Sequence, residues 1–204
     1  LGGTKIEIIV LSPQGDTLLR QRISTPTKHD FNSAKSQYQA IIAAIKQLIS
    51  ASEEQLQTKL LNQTSLHIGI GIPGAISPAT GLVKNANTTC LIGQPFQQDL
   101  EQSLNCRIKI ANDADCFVLS EAKDGAAKGA DSVFGIIIGT GCGGGLVINQ
   151  RLVSGPNAIC GEWGHNPLPW PQADEVLMPC YCGKLGCIET FLSGPGFTVH
   201  ANTI

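Results

Sequence analysis

The segment Pro179–Glu189, PCYCGKLGCIE, constrains this chain more than any other stretch, because three cysteines within it must share a small volume. Three cysteines cannot be paired evenly in disulfides, and Cys180 and Cys182 are too close in sequence for an easy bridge. The spacings C-x-C and C-x4-C also differ from the C-x-x-C of a redox pair. The pattern therefore favours a metal knuckle.

A fourth ligand for such a knuckle lies upstream, in the stretch GEWGH that ends at His165. Glu162 and His165 are three residues apart, so they share one face if the segment is helical. Zinc takes four nitrogen or sulfur ligands in a tetrahedron. The sequence predicts a site filled entirely by the protein, and therefore a structural zinc, with ligands His165, Cys180, Cys182 and Cys187.

The other cysteines and the charge distribution indicate the redox compartment of the chain and the class of its partners. Five cysteines are spread singly through apolar or glycine-rich segments, which is typical of buried free thiols and favours a reducing cytoplasm. The net charge is -2 and no basic stripe is visible, so a nucleic-acid partner is not indicated. The sequence contains no run of about 18 apolar residues, which is the length that a membrane-spanning helix needs.

The order of periodic segments predicts an α/β chain with two lobes, residues 1–112 and 113–204. Apolar residues at helical spacing between Tyr38 and Ile49 predict a long helix, after Asn32 or Ser33 as the N-cap. Strands are expected at Lys5–Leu11, Thr17–Ser24, Leu66–Ile72, Arg107–Ala111, Ser132–Ile138 and Leu146–Ile148, and further helices at Gln97–Leu104 and Ala114–Ala127.

Two glycine-rich turns each accompany a hairpin: Gly2-Gly3-Thr4-Lys5, and a second turn that begins Gly139-Thr140-Gly141. Glycine lets several backbone N–H groups approach a phosphate closely, and a threonine hydroxyl adds a donor. Neither turn has Walker spacing, and each alone is equally well explained as a tight hairpin turn. Their occurrence as a pair favours phosphate binding.

Asn112-Asp113 follows a predicted strand and leads into a predicted helix. A carboxylate in this position can accept a proton from a substrate hydroxyl as a general base. It can equally cap the helix, since Asn and Asp are favoured N-caps. The residues alone leave both roles open for Asp113.

The motifs together resemble the ROK family, which comprises bacterial sugar kinases and related repressors built on the actin-like ATPase (ribonuclease H-like) two-lobe fold. The resemblance rests on GGTK, GIPG (Gly71–Gly74), Asn112-Asp113, IGTGCGGG and the run GEWGH…CxCGxxGCxE. Residues 83–88, 161–170 and 179–191 are similar to the fructokinase or manno(fructo)kinase branch.

The resemblance implies a role for each matching residue. Asp113 would be the general base that takes the proton from the sugar hydroxyl. Sugar hydroxyls are expected at Asn112, Glu162, His165 and Glu189, with Gly74 and Asn87 lining the same pocket. The phosphate clamps are expected at Gly2, Gly3, Thr4 and Lys5 and at Gly139, Thr140 and Gly141. His165 would both bind zinc and face the sugar, so that the knuckle holds His165 and Glu189 in position.

We therefore predict an ATP-dependent hexose kinase that uses Mg²⁺ and acts on the 6-hydroxyl of fructose, with mannose as a second candidate substrate. The alternatives are a sugar-sensing regulator of the same family or a kinase for glucose or an N-acetylhexosamine. The family's aspartate before the first Gly-Gly would lie upstream of Leu1, and about a third of a typical chain would follow Ile204, so we expect a piece of a longer protein. The family commonly forms dimers, which implies a homodimer.

Overall fold

The computed structural model describes residues 1–58, 67–173 and 175–201, which divide into two compact units, Leu1–Asn112 and Asp113–Ile204. Each unit has its own sheets and its own apolar core. None of the helices in the described ranges is long and apolar enough to span a bilayer.

The first unit opens with an antiparallel hairpin of β1 (Lys5–Leu11) and β2 (Thr17–Ser24). The long helix α1 (Ala34–Leu56) follows, and the side chain of Ser33 caps it by accepting a hydrogen bond from the Ser36 N–H at 3.1 Å. These elements match the predicted ones, with Ser33 as the cap. The periodic apolar face of α1 is buried, as its spacing predicts.

A parallel pair forms the centre of the first unit. It consists of β3 (Ile68–Ile72) and β6 (Ile108–Asn112), in a register that places Ile72 opposite Asn112. Leu66, which the sequence assigns to the first of these strands, lies outside the described residues. Between these two strands in sequence lie β4 (Ala75–Ile76) and β5 (Val83–Lys84), two strands of two residues each that pair with one another. The helix α2 (Phe96–Leu104) follows them. The two parallel strands therefore end at the same edge of the sheet.

The second unit begins with α3 (Asp113–Lys123), which packs on a three-stranded antiparallel sheet. The strands are β7 (Ser132–Ile138), β8 (Cys142–Ile148) and β9 (Arg151–Leu152). Strand β8 is longer than predicted because Gly143, Gly144 and Gly145 pair with β7, and these glycines lack the apolar alternation that marks a strand.

The rest of the second unit has little regular structure. A short 3₁₀ helix, Trp163–His165, precedes the cysteine-rich segment, and two short helices, α4 (Glu189–Leu192) and α5 (Gly194–Ala201), follow it. Hydrogen bonds between loops hold these pieces, so their positions depend on close backbone contacts instead of on a large core.

Candidate functional site

The structure brings the ligand atoms of His165, Cys180, Cys182 and Cys187 within 4.8 Å of one another. Nδ1 of His165 lies 3.4 Å from Sγ of Cys180, and the sulfurs of Cys182 and Cys187 are 3.6 Å apart. Tetrahedral zinc, with Zn–S ~2.3 Å and Zn–N ~2.0–2.1 Å, separates two sulfurs by about 3.8 Å and sulfur from nitrogen by about 3.5 Å. The four residues therefore fit a zinc ion in both chemistry and spacing.

Backbone hydrogen bonds close the cysteine-rich loop around this cluster. The Cys180 N–H donates to the Lys184 carbonyl at 2.8 Å, and the Gly183 N–H donates to the Cys180 carbonyl at 3.0 Å. Gly183 has φ +89°, a conformation that a side chain disfavours. Lys184 Nζ also donates to the carbonyl of His165 at 3.2 Å, which joins the loop to its distant histidine.

The second nitrogen of His165 has its own partner. Nε2 lies 2.9 Å from the Tyr181 hydroxyl, and the two rings meet edge to face, with centroids 5.0 Å apart. The family resemblance implies a sugar contact at His165, whereas the sequence gives no signal for Tyr181, because nothing in C-x-C marks the intervening residue.

Glycines in β8 let the GEWGH stretch pack directly on the sheet. A Cβ on Gly144 would lie 2.8 Å from the Gly135 carbonyl oxygen and 2.9 Å from Cδ1 of Trp163. The indole N–H of Trp163 donates to the Gly143 carbonyl at 2.6 Å. Because these glycines have no side chains, the 3₁₀ helix that carries His165 can lie against the sheet.

Glu189 connects the cysteine-rich loop to the second glycine turn. It begins α4, two residues after Cys187, and its Oε2 accepts a hydrogen bond from the Cys142 N–H at 2.8 Å. The same oxygen would lie 2.7 Å from a Cβ on Gly141, so a larger residue there would displace the Glu189 carboxylate. The Gly194 N–H also donates to the Gly139 carbonyl at 2.8 Å, so two contacts from this region hold the turn.

Within the run of glycines after Ile138, only Gly139–Gly141 forms the turn of the β7–β8 hairpin. The Gly139 N–H donates to the Gly141 carbonyl at 2.9 Å, and the Cys142 N–H is held by Glu189. The donors that the turn offers a ligand are therefore the amides of Thr140 and Gly141 and the Thr140 hydroxyl.

The first glycine turn has a similar arrangement. The Gly2 N–H donates to the Lys5 carbonyl at 2.8 Å, and Lys5 begins β1 with an exposed side chain. Thr25, only 2% exposed, donates its hydroxyl to the Gly2 carbonyl at 2.7 Å and its N–H to the Thr4 carbonyl at 3.0 Å. The groups at this turn that could donate to a ligand are the amides of Gly3 and Thr4 and the Thr4 hydroxyl. Thr25 gave no sequence signal because it acts only across the hairpin.

At the carboxyl edge of the parallel pair, Nδ2 of Asn112 donates to the Gly74 carbonyl at 3.2 Å. Gly74 is buried with φ +144°, and a Cβ would lie 2.8 Å from the Lys84 carbonyl oxygen. Asn87 is exposed on the loop after β5. Open α/β sheets commonly bind ligands at this edge, so the first unit brings Asn112 and Gly74 together at a suitable position.

Asp113 is the first residue of α3, and its Oδ1 accepts a hydrogen bond from the Ala114 N–H at 2.9 Å. One carboxylate oxygen thus supports the helix start, while the residue remains exposed. Partial burial of the carboxyl group raises its pKa. The pKa of Asp115 rises to about 6, first through burial and then through the negative charges of Glu162 and Asp113. Glu162 therefore lies within electrostatic range of Asp115.

Comparison with known proteins places this geometry in a family. Residues 1–203 match the ROK family. The chain is 39% identical over 202 residues to the N-acetyl-D-glucosamine kinases of Pectobacterium atrosepticum and Yersinia pestis. The match covers 97% of this chain, and 62% and 73% of those proteins, respectively. The chain therefore spans less than two thirds of the first of these relatives.

Solved structures agree on the fold. A ROK family glucokinase from Streptomyces griseus, in complex with glucose and AMPPNP, superposes with a TM-score of 0.74 at 27% identity. The ROK hexokinase from Thermus thermophilus superposes with a TM-score of 0.72 at 25% identity. Both matches cover all of this chain, and 58% and 61% of the respective structures. The chain belongs to the ROK family and has its α/β, actin-like fold.

Proposed function

We propose that this chain is part of an ATP-dependent hexose kinase with N-acetyl-D-glucosamine as its substrate. The observation that carries the proposal is the 39% identity, across nearly the whole chain, to N-acetyl-D-glucosamine kinases. These relatives favour the N-acetylhexosamine alternative over fructose, and the fructokinase branch is not confirmed. Fructose and mannose remain substrates to test.

Asp113 is the general base in this proposal. It takes the proton from the sugar 6-hydroxyl as that oxygen attacks the γ-phosphorus of ATP, and the bond to the β-phosphate oxygen breaks to release ADP. Partial burial raises the pKa of Asp113, which makes the carboxylate a better proton acceptor, and the bond from Ala114 fixes its position. Because Asp113 is the first residue of α3 and its carboxylate accepts from the adjacent Ala114 N–H, the base is the role proposed for it in place of the N-cap.

Phosphate oxygens are held by two matching sets of donors. Each glycine turn offers two consecutive amides and one threonine hydroxyl, from Gly3-Thr4 and from Thr140-Gly141. Such amide pairs bind anions without a charged side chain. Phosphoryl transfer depends mostly on this positioning and on charge neutralisation by Mg²⁺, which accompanies ATP.

The zinc proposed at His165, Cys180, Cys182 and Cys187 is structural. These four side chains would fill all four coordination positions of the zinc and would leave none for water or substrate. When bound, zinc supplies rigidity, which fixes Glu189 and His165. Asn112, Glu162, Gly74 and Asn87 are proposed to complete the sugar contacts.

The second candidate is a sugar-sensing regulator of the same family, and a ROK transcriptional regulator shares the fold with a TM-score of 0.74 at 20% identity. Two ordered glycine turns and Asp113 at a helix start favour the kinase, because a sensor needs neither. We expect a homodimer on family grounds, and a cytoplasmic protein because cysteines spread singly through apolar segments are typical of a reducing compartment.

The test uses the full-length protein with ATP, Mg²⁺ and a panel of N-acetylglucosamine, N-acetylmannosamine, glucose, mannose and fructose. We expect sugar-dependent ADP release, fastest with N-acetylglucosamine. Asp113→Asn should lower kcat by about 10²-fold or more while sugar still binds. Asp124→Asn, an exposed change just beyond the same helix, is the matched control. Absence of turnover with every sugar, or full activity of Asp113→Asn, would refute the proposal.

A further inference from the structure

Thr88, next to Asn87 on the loop after β5, carries a buried hydroxyl. The residue is 7% exposed, and within the described part of the chain its Oγ1 is fully buried and has no hydrogen-bond partner. Buried polar groups are nearly always paired, because an unpaired one destabilises the folded state. The placement of this hydroxyl therefore needs an explanation other than packing.

The position of Thr88 offers its hydroxyl an ordinary partner that it does not take. Thr88 precedes the short 3₁₀ helix Thr89–Leu91, and a threonine before a helix commonly uses its hydroxyl to accept from an amide of the first turn. The Thr88 carbonyl accepts from the Leu91 N–H at 3.0 Å, but the side chain forms no cap. Its Oγ1 instead faces the first glycine turn, 4.0 Å from the position that a Cβ on Gly3 would occupy.

The first glycine turn has one carbonyl that suits this donor. The carbonyls of Gly2 and Thr4 both accept hydrogen bonds from Thr25, at 2.7 and 3.0 Å. The Gly3 carbonyl accepts none from the residues that the structure describes. A buried donor and a backbone acceptor are thus both unpaired in one small region of the first unit.

The turn has room to move toward Thr88. Gly3 has no positive φ, and a Cβ there would meet no atom closer than the Thr88 Oγ1. Neither the backbone conformation nor crowding requires glycine at this position in the structure. A glycine leaves the side of the turn that faces Thr88 open, so the turn can approach the hydroxyl.

The peptide that links Gly3 to Thr4 connects this acceptor to the proposed phosphate site. In a planar trans peptide the C=O and N–H groups point in opposite directions, so the direction of the Gly3 carbonyl fixes that of the Thr4 N–H. The Thr4 N–H is one of the amides proposed above to bind a phosphate oxygen. A hydrogen bond accepted by the carbonyl also polarises the peptide and strengthens its N–H as a donor.

We propose that Thr88 is a positioning residue of the nucleotide site: when the first glycine turn binds a phosphate of ATP, the Thr88 hydroxyl donates to the Gly3 carbonyl and directs the Thr4 N–H to the phosphate oxygen. The inference rests on the proposed function and adds to it a residue outside both glycine turns. The unpaired hydroxyl destabilises the nucleotide-free protein, and the bond formed with ATP removes that destabilisation.

Thr88→Val replaces the hydroxyl with a methyl group of similar size. In the full-length protein we expect the nucleotide-free Tm to rise, because an unpaired buried polar group is removed. The calorimetric Kd for ATP with Mg²⁺ should rise about two- to tenfold, the loss of one neutral hydrogen bond. Thr88→Ser keeps the hydroxyl and should bind ATP like the wild type. Thr25→Val is the matched comparison and should lower the Tm, because the Thr25 hydroxyl is already bonded to the Gly2 carbonyl.

The two readouts together separate positioning from packing. A higher Tm with unchanged ATP binding overturns the inference, and so does a lower Tm of nucleotide-free Thr88→Val. Equal losses of ATP binding in Thr88→Val and Thr88→Ser would assign the effect to packing and also overturn it.

ATP binding is measured without sugar, which distinguishes this inference from the kinase proposal. Weaker ATP binding by Thr88→Val, with Thr88→Ser like the wild type, supports the role of Thr88 even if no hexose is phosphorylated, in which case only the kinase proposal fails. Binding of N-acetylglucosamine without nucleotide should be unchanged in Thr88→Val. A loss there equal to the loss for ATP would overturn the assignment to the phosphate turn.

Discussion

The two units of the chain are similar in length but are stabilised in different ways. In the described part of the first unit, fifteen buried residues form one continuous apolar cluster. In the described part of the second, the corresponding cluster is Val118, Ala122 and Val147. Three large side chains of β7, Phe134, Ile136 and Ile138, are about half exposed there.

The second unit uses close backbone contacts and the Cys/His cluster in place of a large core. Glycines in β8 allow loops to approach the sheet, and the four ligands draw together segments that are 22 residues apart in sequence. The difference teaches that the first unit distributes its stability over many apolar contacts, whereas the second concentrates its stability in a few positions. Substitutions in each unit test this difference.

The largest effect should come from Cys187→Ser. Cys187 is fully buried in the cluster, and free energy of metal binding contributes to the free energy of folding. Zinc content should fall from about one per chain to near zero, and amide hydrogen-exchange protection should be lost in the second unit while the first retains its protection. Cys160→Ser, outside the cluster in the same unit, is the control. Unchanged zinc in Cys187→Ser would contradict the assignment.

The next effect should come from the core of the first unit. Ile41 on α1 is fully buried, so Ile41→Ala should lower the free energy of unfolding of this unit by about 2–5 kcal/mol. Urea unfolding monitored by hydrogen exchange of α1 measures it, with Ile9→Ala, at a position 51% exposed, as the control. An equal loss of protection in the second unit would mean that the two units unfold together, which would break the comparison.

A smaller effect is expected for Gly144→Ala. The added methyl would meet the Gly135 carbonyl and Trp163 at under 3.0 Å, so the 3₁₀ helix must shift, at a cost of about 1–3 kcal/mol. Gly69→Ala, in a strand of the first unit with open space around it, should cost far less. Thermal unfolding and tryptophan fluorescence report the change, and equal effects of both substitutions would contradict the role given to β8.

The smallest effect concerns pH. The pKa of Asp115 is raised from 3.8 to about 6, so between these values the folded state binds its proton more tightly than the unfolded state does. The contribution of this residue to stability should therefore fall as pH rises from about 4 to 6 and then level off. Asp115→Asn should remove that fall, seen in thermal unfolding across pH, whereas exposed Asp131→Asn should retain it. A fall of unchanged size in Asp115→Asn would assign it to another group.

Sequence periodicity predicted most of the first unit, because α1 and the hairpin follow regular burial patterns. It missed the two-residue strands β4, β5 and β9, which are too short to show a period. Helix α3 ends at Lys123, four residues before the predicted end, as the chain turns through Gly125.

In the candidate site, the cysteine spacing and the histidine of the GEWGH stretch together predicted that His165, Cys180, Cys182 and Cys187 lie close to one another. The bonds from Glu189 to Cys142 and from Tyr181 to His165 were not predictable, because each joins segments more than fifteen residues apart. The hydrogen bond from Thr25 to Gly2 was not predictable for the same reason. Such contacts depend on how the loops are packed, which local pattern does not encode.

The bond from Glu189 to the Cys142 amide has a thermodynamic consequence. Glu189 lies two residues after the proposed zinc ligand Cys187 and also holds the turn proposed for phosphate. Zinc binding and nucleotide binding would therefore both depend on this one side chain. Equilibrium coupling is reciprocal, so any factor by which zinc tightens nucleotide binding is also the factor by which nucleotide tightens zinc binding against a competing chelator. Competition for the metal would then measure how firmly the turn is held.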